Sequence, residues 1–295
     1  MDVEPFVTHR SPLFTVAYEM LGSGADAEDV VQEAWLRWAD VNHDEIRDPR
    51  AFLVRVVTRQ ALDRLRTVSR RREEYVGQWL PEPLLTSPDV AEDVEFAESI
   101  SIAMLTVLET LGHTERAVFV LREVFDLPYD EVAEAIGKTP ATVRQIAHRA
   151  RGHVAARRPR MRVSRAEQQA AVESFRVAIQ IGDLQALLDV LAPDVVLVSD
   201  GGGLAPAWPR PLTGADRVAR VLANLLTRLA RTAPNAHAGP VWLNGAPALL
   251  IEYDGKLGTA ISFTVDNGQI SRIYAIRNPH KLGRLGEAMQ LSRAN

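Results

Sequence analysis

The side chains between residues 139 and 151 are of the types that read a DNA groove. Arginine and glutamine form paired hydrogen bonds with base edges, and arginine and threonine also contact phosphates. The candidate contact residues are Thr139, Thr142, Arg144, Gln145, His148, Arg149 and Arg151. No acidic residue occurs from Ala135 to Ala166, although arginine recurs throughout that run. This segregation of charge favours a polyanionic partner over a solvated helix face.

Two short helices and a tight turn are needed to present these side chains. The first helix has one apolar stripe, formed by Tyr129, Val132, Ala133 and Ile136. Gly137 can end this helix in the left-handed conformation, and Thr139 with Pro140 can begin the next one. The second helix is expected to bury Val143, Ile146, Ala147 and Ala150. The pattern predicts a helix-turn-helix, and an ordinary helical hairpin is the structural alternative.

A second basic surface is predicted on the helix that starts near Pro49. At 100° per residue, four arginines of this helix fall within about 60° of one another. They are Arg55, Arg59, Arg66 and Arg70. Asp63 is the acidic residue nearby, and the aligned arginines otherwise repel one another, which favours a nucleic-acid ligand. Two separated basic surfaces suit a protein that contacts one DNA at two places.

Composition limits the classes of protein to which the chain can belong. The chain has 295 residues, a formal net charge of −4 and no cysteine. The lack of cysteine excludes disulfides, thiolate metal sites and thiol redox sensing, and it favours a cytoplasmic location. The start of the chain is acidic, and no apolar stretch reaches the roughly 18 residues of a membrane span. We therefore expect no signal peptide, no membrane contact, no metal and no cofactor.

Composition also divides the chain into four segments. Residues 1–72 and 101–160 are helical in pattern, and residues 73–100 form an acidic linker in which prolines interrupt any helix. Residues 166–295 contain alternating apolar and polar runs separated by turn residues, which is typical of strands. The predicted fold class is therefore multidomain, with two all-α domains followed by an α+β domain.

These motifs resemble those of extracytoplasmic-function (ECF) sigma factors, the two-domain initiation factors of bacterial RNA polymerase. The resemblance rests on residues 26–33, 59–66 and 111–151. It implies that residues 1–72 are a region 2 domain, which binds the polymerase core and the −10 element. It implies equally that residues 101–160 are a region 4 domain, whose helix-turn-helix binds the −35 element of promoter DNA.

The resemblance also implies roles for particular residues. The polymerase core would be contacted through its β and β′ subunits, with Asp29, Gln32 and Glu33 docked on the coiled coil of β′. From spacing alone, these three residues would be a solvated helix face. The basic stripe from Arg55 to Arg70 would hold the melted −10 strand, and the loop Val41–Arg50 would capture an unstacked base.

The last segment resembles a SnoaL-like domain of the NTF2-like fold, a curved sheet whose helices form a cone. The likeness lies between Phe175 and Gly203. One ECF subgroup has such a tail fused to the sigma part and shares residues 79–83, 200–203 and 278–282 with this chain. The sequence departs from that subgroup at Pro128, Leu204 and His280.

Relatives of the SnoaL-like fold include isomerases, cyclases and hydrolases. Such enzymes need a carboxylate base and an oxyanion donor in an apolar pocket. The candidates here are Asp200, His237, Tyr253, Asp254 and Tyr274. They form no local constellation, and Asp254-Gly255, like Asp266-Asn267-Gly268, has the sequence of a hairpin turn. We therefore predict no catalytic residue, while a small-molecule ligand in this C-terminal domain stays open.

Regulation in cis is the interpretation that the sequence favours for the tail. Residues 79–83 cannot be helical, and they carry a tryptophan and a leucine that need a partner surface. We expect them to dock on the tail and thereby to fix the distance between the two DNA-binding domains. The predicted contact residues are Trp79, Leu80, Pro81, Glu82, Pro83, Asp200, Gly201, Gly202, Gly203, Asn278, Pro279, Lys281 and Leu282.

Two rival interpretations lead to different expectations. A ligand-responsive helix-turn-helix regulator would never contact polymerase, and the two N-terminal helices with acidic and basic faces count against it. An NTF2-like enzyme with a DNA-binding part would turn over a small apolar substrate, and the absence of a local constellation counts against it. We expect the unbound chain to be a monomer.

Overall fold

The computed structural model describes residues 4–157, 163–233, 235–286 and 288–292, without the side chains of residues 69–73, 92 and 230. All-α parts come first and an α+β part follows, which confirms the predicted fold class. The helices are α1 Glu4–Leu21, α2 Gly24–Asp40, α3 Pro49–Glu73, α4 Val94–Ile100, α5 Ile102–Leu108, α6 His113–Phe119, α7 Tyr129–Ile136, α8 Pro140–Ala155, α9 Arg165–Ile181, α10 Leu184–Val190, α11 Ala215–Thr232 and α12 Pro279–Leu282. The strands are β1 Leu191–Asp200, β2 Leu212–Thr213, β3 His237–Leu243, β4 Ala246–Tyr253, β5 Lys256–Asp266 and β6 Gln269–Ile276. Within the described ranges, every helix is too short or too polar to cross a lipid bilayer.

Helices α1, α2 and α3 pack against one another as the first helical unit. The N-cap of α2 is Ser23, whose hydroxyl accepts a hydrogen bond from the backbone N–H of Asp26 at 3.2 Å. Such a cap satisfies a donor that the first turn of a helix would leave unpaired. The apolar side of α2 includes Val30 and Trp38, which are buried. The opposite, acidic side of α2 therefore stays at the surface.

Helices α7 and α8 form the predicted helix-turn-helix. Gly137 ends α7 with a φ of 66°, a left-handed conformation in which glycine has no steric penalty. The hydroxyl of Thr139 accepts a hydrogen bond from the N–H of Thr142 at 3.2 Å, and Pro140 is the first residue of α8. The residues predicted to face inwards are all buried, namely Val143, Ile146, Ala147 and Ala150.

The two helical units share one hydrophobic core. A single cluster of buried side chains includes Leu53 and Val57 of α3 as well as Val132 of α7. Helix α3 packs directly on α7 and α6. The helices that carry the two predicted basic surfaces therefore belong to one packed body in this structure. Contacts between helices so distant in sequence depend on tertiary packing, which local spacing does not encode.

An extended connection, residues 74–87, runs between the helical units and the tail. Leu85 forms an antiparallel bridge with Leu243 at the end of β3. The N–H of Thr86 donates to the carbonyl oxygen of Trp242 at 3.0 Å, and the carbonyl oxygen of Leu85 accepts from the N–H of Met289 at 2.8 Å. Because the two bonds leave opposite edges of an extended strand, the connection is held between β3 and residues 288–292.

The tail contains a six-stranded sheet with the strand order β2-β1-β6-β5-β4-β3. Strands β1 and β6 run parallel, and the other neighbours run antiparallel. The predicted hairpin turns are present, because both residues of Asp254-Gly255 and of Asn267-Gly268 have positive φ angles between 50° and 76°. Consecutive residues with positive φ are typical of the type I′ turns that join antiparallel strands.

The two faces of this sheet have different neighbours. Helices α9, α10 and α11 cover one face with an apolar layer, in which the ring centroids of Phe175 and Phe263 lie 5.1 Å apart. On the other face, Tyr274 and Ile276 belong to a cluster with Leu80 of the connection. The sheet therefore lies between its own helices and the rest of the chain.

Candidate nucleic-acid interface and interdomain junction

Helix α8 presents the predicted DNA-contact residues on its outer side. Arg144, Gln145, His148, Arg149 and Arg151 are exposed there. At the start of the helix the hydroxyls of Thr139 and Thr142 lie 2.9 Å apart. The apolar side of α8 packs on α6 and α7. The geometry thus gives the helix one apolar side and one polar, basic side.

Neighbouring side chains orient the arginines of α8. Arg149 lies 3.8 Å from Glu115, and Arg151 donates to Glu123 at 2.9 Å. The guanidinium of Arg144 stacks 5.3 Å from the ring centroid of Tyr129. Hydrogen bonds from Arg151 and then Arg122 lower the pKa of the Tyr129 hydroxyl. Because ion pairs this exposed contribute only about 0–1 kcal/mol, phosphate oxygens can replace these carboxylates.

The basic stripe on α3 contacts α7 in this structure. Arg55 pairs with the carboxylate of Glu134. Arg59 donates from Nε to the carbonyl oxygen of Ala135 at 3.3 Å and from Nη2 to that of Glu134 at 3.0 Å. The last carbonyls of a helix carry partial negative charge, so Arg59 acts as a C-terminal cap of α7. The first two arginines of the stripe are therefore bound to an intramolecular partner, helix α7.

The other two arginines of the stripe differ from this pair. Arg66 donates to Asp63 at 2.6 Å, and both side chains are exposed. Arg70 belongs to α3, but its side chain lies outside the described residues. The structure therefore brings Arg55 and Arg59 together on α7, whereas Arg66 faces solvent.

On the acidic face of α2, the residues in the middle of the helix are exposed, whereas the carboxylates near its start form ion pairs. Gln32 and Glu33 are exposed, and so is Leu36 on the next turn. Asp29 pairs with Arg64 of α3, which also donates to Asp26 at 2.8 Å. The face thus combines an amide, a carboxylate and an exposed leucine, which suits contact with a helical partner.

The loop Val41–Arg50 contains one 3₁₀ turn, His43–Glu45. The ring of His43 stacks on Trp38, with 4.3 Å between the ring centroids and 15° between the ring planes. Nε2 of His43 lies 2.8 Å from the carbonyl oxygen of Trp38. Trp38 is buried and His43 is partly exposed, so the imidazole is the member of this pair that faces the surface of the loop.

Asp200, at the end of β1, is the centre of the junction between the connection and the tail. Its side chain is fully buried. The carboxylate accepts hydrogen bonds from the Tyr75 hydroxyl at 2.5 Å, the Leu80 N–H at 2.9 Å and the Gly202 N–H at 3.1 Å. Its charge is balanced by Nζ of Lys281 at 2.7 Å. A buried carboxylate is stable in a protein only with such compensation.

Lys281, in α12 of the tail, contacts both the backbone and the aromatic side chains of the connection. Its Nζ also donates to the carbonyl oxygen of Leu80 at 2.5 Å. It lies 4.2 Å from the ring centroid of Trp79 and 5.0 Å from that of Tyr75, where the aromatic faces attract a cation. Burial raises the pKa of Tyr75, and its hydrogen bond to Asp200 raises it further.

The glycine loop after Asp200 is packed too tightly for larger residues. Gly202 has a φ of 58°, and a Cβ there would collide with Asn278 and Tyr75. Gly203 has a φ of 73° and lies against Val76. A Cβ at Gly201 would collide with the backbone of the same loop. Glycine is therefore required for the loop to reach the connection.

The other residues predicted at the junction belong either to the connection itself or to the start of α12. Pro81, Glu82 and Pro83 are buried. Glu82 turns towards α2, where its Oε2 accepts from the Ser23 hydroxyl at 3.0 Å and from the Ala25 N–H at 3.2 Å.

The tail side of the same contact is formed by the start of α12. Asn278 caps this helix and donates from Nδ2 to the Tyr75 hydroxyl at 2.7 Å. Pro279 is the first helical residue, and Leu282 is buried in the same cluster as Leu80. The segment 79–83 therefore contacts the start of α2 on one side and the tail on the other.

Sequence reasoning did not identify Asn244, a residue of the tail that contacts the helical units. It lies in the turn between β3 and β4 with a φ of 52°. Its Nδ2 donates to the Tyr18 hydroxyl at 2.6 Å and to the carbonyl oxygen of Ile100 at 2.9 Å, and its Oδ1 accepts from the Leu84 N–H at 3.0 Å. The Asn-Gly dipeptide signals a turn, but no sequence signal gives its contacts.

Sequence reasoning also missed residues 288–292. The Ser11 hydroxyl donates to the carbonyl oxygen of Gln290 at 2.6 Å, and the Ser292 N–H donates to the Thr15 hydroxyl at 3.3 Å. Leu291 is buried in the core of the helical units. This part of the tail therefore packs on α1.

Comparison with known proteins agrees with this geometry. The family model for Sigma-70 region 2 matches residues 6–71, and that for Sigma-70 region 4 matches residues 101–154. The ECF RNA polymerase sigma factor SigJ of Mycobacterium tuberculosis (strain ATCC 25618 / H37Rv) is 39% identical over 294 residues, covering 95% of this chain and 93% of its own. The chain belongs to the ECF sigma factors.

Other comparisons support this family assignment over nearly the whole length of the chain. The probable ECF sigma factor SigI of the same strain is 34% identical over 280 residues, covering 94% of this chain and 93% of its own. The crystal structure of M. tuberculosis SigJ superposes with a TM-score of 0.77 and 36% identity, covering 96% of this chain and all of that one. The match therefore includes the tail as well as the sigma regions.

The tail of this sigma factor does not bring the five catalytic candidates together. Asp200 lies in the junction, Asp254 in an exposed turn and His237 at the exposed start of β3. Tyr253 lies 3.2 Å from the Thr259 hydroxyl, and Tyr274 is buried on the face turned towards the connection. The relatives matched over this length are sigma factors. Among the described residues, no group of histidine and carboxylate side chains could hold a metal ion.

A cavity of about 270 Å³ lies where region 2, the connection and the tail of this sigma factor meet. Its walls are Gly22, Ser23, Ala25, Asp26 and Val68 of region 2, Tyr75, Trp79 and Glu82 of the connection, and Asn278, His280 and Lys281 of the tail. The cavity depends on the junction, because each wall belongs to a different part of the chain.

Proposed function

We propose that α8 of this ECF sigma factor reads the −35 element through the major groove. The observation that carries the proposal is the exposed basic side of α8 on a helix-turn-helix matched by Sigma-70 region 4. Arg144 and Gln145 have base-reading side chains near the start of the helix. Thr139, Thr142, His148, Arg149 and Arg151 would position the helix through phosphates.

Region 2 would supply the −10 and polymerase contacts. Arg55, Arg59, Arg66 and Arg70 would hold the melted strand, and the loop Val41–Arg50 would receive an unstacked base. The face with Asp29, Gln32 and Glu33 would dock on the β′ subunit of the core. The exposed Leu36 on the same face supports this assignment, because buried apolar anchors supply most of the affinity of such interfaces.

The closed arrangement of the two DNA-binding domains supports a regulatory role for the tail. Arg55 and Arg59 are engaged by α7, so they must leave Glu134 and Ala135 before they can hold a DNA strand. Asp200, Lys281 and the connection stabilise this closed arrangement. The tail would therefore act in cis, by setting how readily regions 2 and 4 separate.

The domain boundaries that we propose are 1–72, 73–100, 101–160 and 166–295. A small-molecule ligand in the tail, a monomeric unbound state and action in the cytoplasm belong to the same proposal. The described residues between the sheet and α9–α11 are apolar, so a ligand held there would be apolar as well. Mass spectrometry of the native protein and light scattering would test the ligand and the oligomeric state.

Transcription by a reconstituted holoenzyme tests the main proposal. Core polymerase, the full chain and a library of candidate promoters should yield transcripts that require Arg144 and Arg149. The matched control is Arg176→Ala, which removes an arginine that pairs with Glu173 on α9. A helix-turn-helix regulator that does not use polymerase would bind DNA but give no transcript from any promoter, and that result would overturn the proposal.

The regulatory part needs a separate experiment. Trp79→Ala and Asp200→Asn should both raise cleavage of residues 74–87 by a protease and should both change transcription. Asp254→Asn is the control, because Asp254 lies in an exposed turn outside the junction. Unchanged cleavage and unchanged transcription in both junction variants would show that the tail does not regulate through this contact.

A further inference from the structure

The outer face of α11, in the tail, has an arginine stripe that none of the surfaces above includes. Its members are exposed: Arg217, Arg220, Arg228 and Arg231. At 100° and 1.5 Å per residue they fall within about 80° of arc and extend over about 21 Å of helix. The opposite side of α11 packs on β1 and buries Val218 and Ala219 completely. The stripe is therefore presented to solvent by a firmly packed helix.

Acidic residues compensate little of this charge. Among the described residues, the ion pair made by the stripe joins Arg220 to Asp216 at 3.9 Å, with side chains 71% and 79% exposed. A pair this exposed contributes about 0–1 kcal/mol. The acids of the helices packed against α11 have other partners, since Glu173 pairs with Arg176 and Asp183 caps α10. The stripe thus keeps most of its positive charge.

The composition of the face indicates the kind of partner. The remaining residue within the arc is Asn224. Thr227 and the partly buried Val221 lie just beyond its two edges, so no apolar side chain lies between the arginines. Protein interfaces usually have an apolar centre, which this face lacks. Duplex DNA carries about one negative charge per 1.7 Å of axis, so a stripe of about 21 Å can lie along a continuous run of phosphates.

We propose that the α11 stripe binds the phosphate backbone of duplex DNA, as a third contact besides the −10 and −35 surfaces. The inference rests on the proposed function, because the sigma part brings the DNA to the tail. The contact adds affinity without sequence preference. It gives the tail a direct role in the promoter complex in addition to its junction with the connection.

The test measures the salt dependence of DNA binding by the reconstituted holoenzyme. Affinity for a promoter duplex is measured by fluorescence anisotropy over a series of salt concentrations, for the native chain, R217Q/R220Q, R228Q/R231Q and the quadruple variant. Each lost phosphate contact should reduce the slope of log affinity against log salt by about 0.9. Each double variant should weaken binding several-fold at low salt. The relative preference for promoter over non-promoter duplex should not change.

The control variant R176Q/R284Q removes the same charge as each double variant, from positions outside the stripe. It should leave the slope unchanged, which separates contact from net charge. An unchanged slope in the quadruple variant, while Arg144→Ala still abolishes promoter binding, would overturn this inference and leave the proposed function intact. Loss of core-polymerase affinity in the quadruple variant, with unchanged DNA binding by the holoenzyme that does form, would assign the stripe to polymerase and overturn it equally.

Discussion

Arg59 of α3 donates a hydrogen bond to the carbonyl oxygen of Ala135 at the end of α7, over 3.3 Å. The same guanidinium also bonds the carbonyl oxygen of Glu134. One arginine of the region 2 stripe thus caps the first helix of the helix-turn-helix. The arginine stripe of region 2 and the position of region 4 are therefore linked through Arg59, in addition to the Arg55–Glu134 pair.

Weakening this contact from the region 4 side should open the protein without removing an arginine of the stripe. Glu134→Gln removes the carboxylate that pairs with Arg55. Because the pair is partly exposed, the loss of about 0.5–1 kcal/mol should raise transcription about two- to five-fold. Glu131→Gln is the control, since Glu131 lies 3.9 Å from Arg50 and makes a weaker contact. Equal activity of the two variants in a holoenzyme assay would contradict the link.

The turn at Asn244 should contribute more to stability than its length suggests. Asn244→Ala removes the hydrogen bonds to Tyr18, Ile100 and Leu84 and places alanine at a φ of 52°. Asn267→Ala is matched for backbone strain, because Asn267 lies in an exposed hairpin turn with a φ of 50°. The excess loss in free energy of unfolding should be about 2–3 kcal/mol. Denaturant titration of both variants measures it, and equal losses would assign the whole effect to strain.

The glycine loop should tolerate no side chain at Gly202. A Cβ there meets Asn278 and Tyr75, whereas a Cβ at Gly268 has nothing within 4 Å. Both glycines have positive φ, so alanine at either position costs about 1 kcal/mol of backbone strain. Gly202→Ala should additionally displace the connection and speed its cleavage by a protease, and Gly268→Ala should not. Matching cleavage rates would show that the loop does not hold the connection.

Acid should destabilise the first helical unit through His9. Burial lowers the pKa of His9 below its ordinary value of about 6.5, and nearby Arg50 lowers it further while Asp48 opposes the shift. The unfolded chain therefore binds a proton at a higher pH than the folded one. The stabilisation is complete above about pH 6.5 and is lost as the pH falls through the folded pKa. The unfolding midpoint of His9→Gln should fall less between about pH 7.5 and 5.5 than that of His148→Gln, whose imidazole is exposed on α8.

The helix-turn-helix could be predicted from the sequence because its determinants are local. The left-handed Gly137, the capping Thr139 and the apolar spacing all act within one turn of the chain. The hairpin turns of the tail are local in the same sense. Such features need no knowledge of what lies beside them in the fold.

The closed arrangement could not be predicted, because it depends on partners far away in sequence. The aligned arginines of α3 indicated a polyanion, yet Arg55 and Arg59 contact the acidic, carbonyl-rich end of α7. Asn244 reaches Tyr18 across more than half of the chain. The α11 stripe was missed for another reason, since the even balance of charge over the whole tail concealed its concentration on one helix face.

The connection, residues 74–87, lies between β3 and residues 288–292, and both of these neighbours follow the sigma regions in the sequence. A ribosome releases α1 to α8 before it makes either of those two neighbours. The nascent sigma regions therefore emerge before residues 84–86 can be held between β3 and residues 288–292. Premature release of an unfinished chain would yield sigma regions whose connection lacks both of these neighbours.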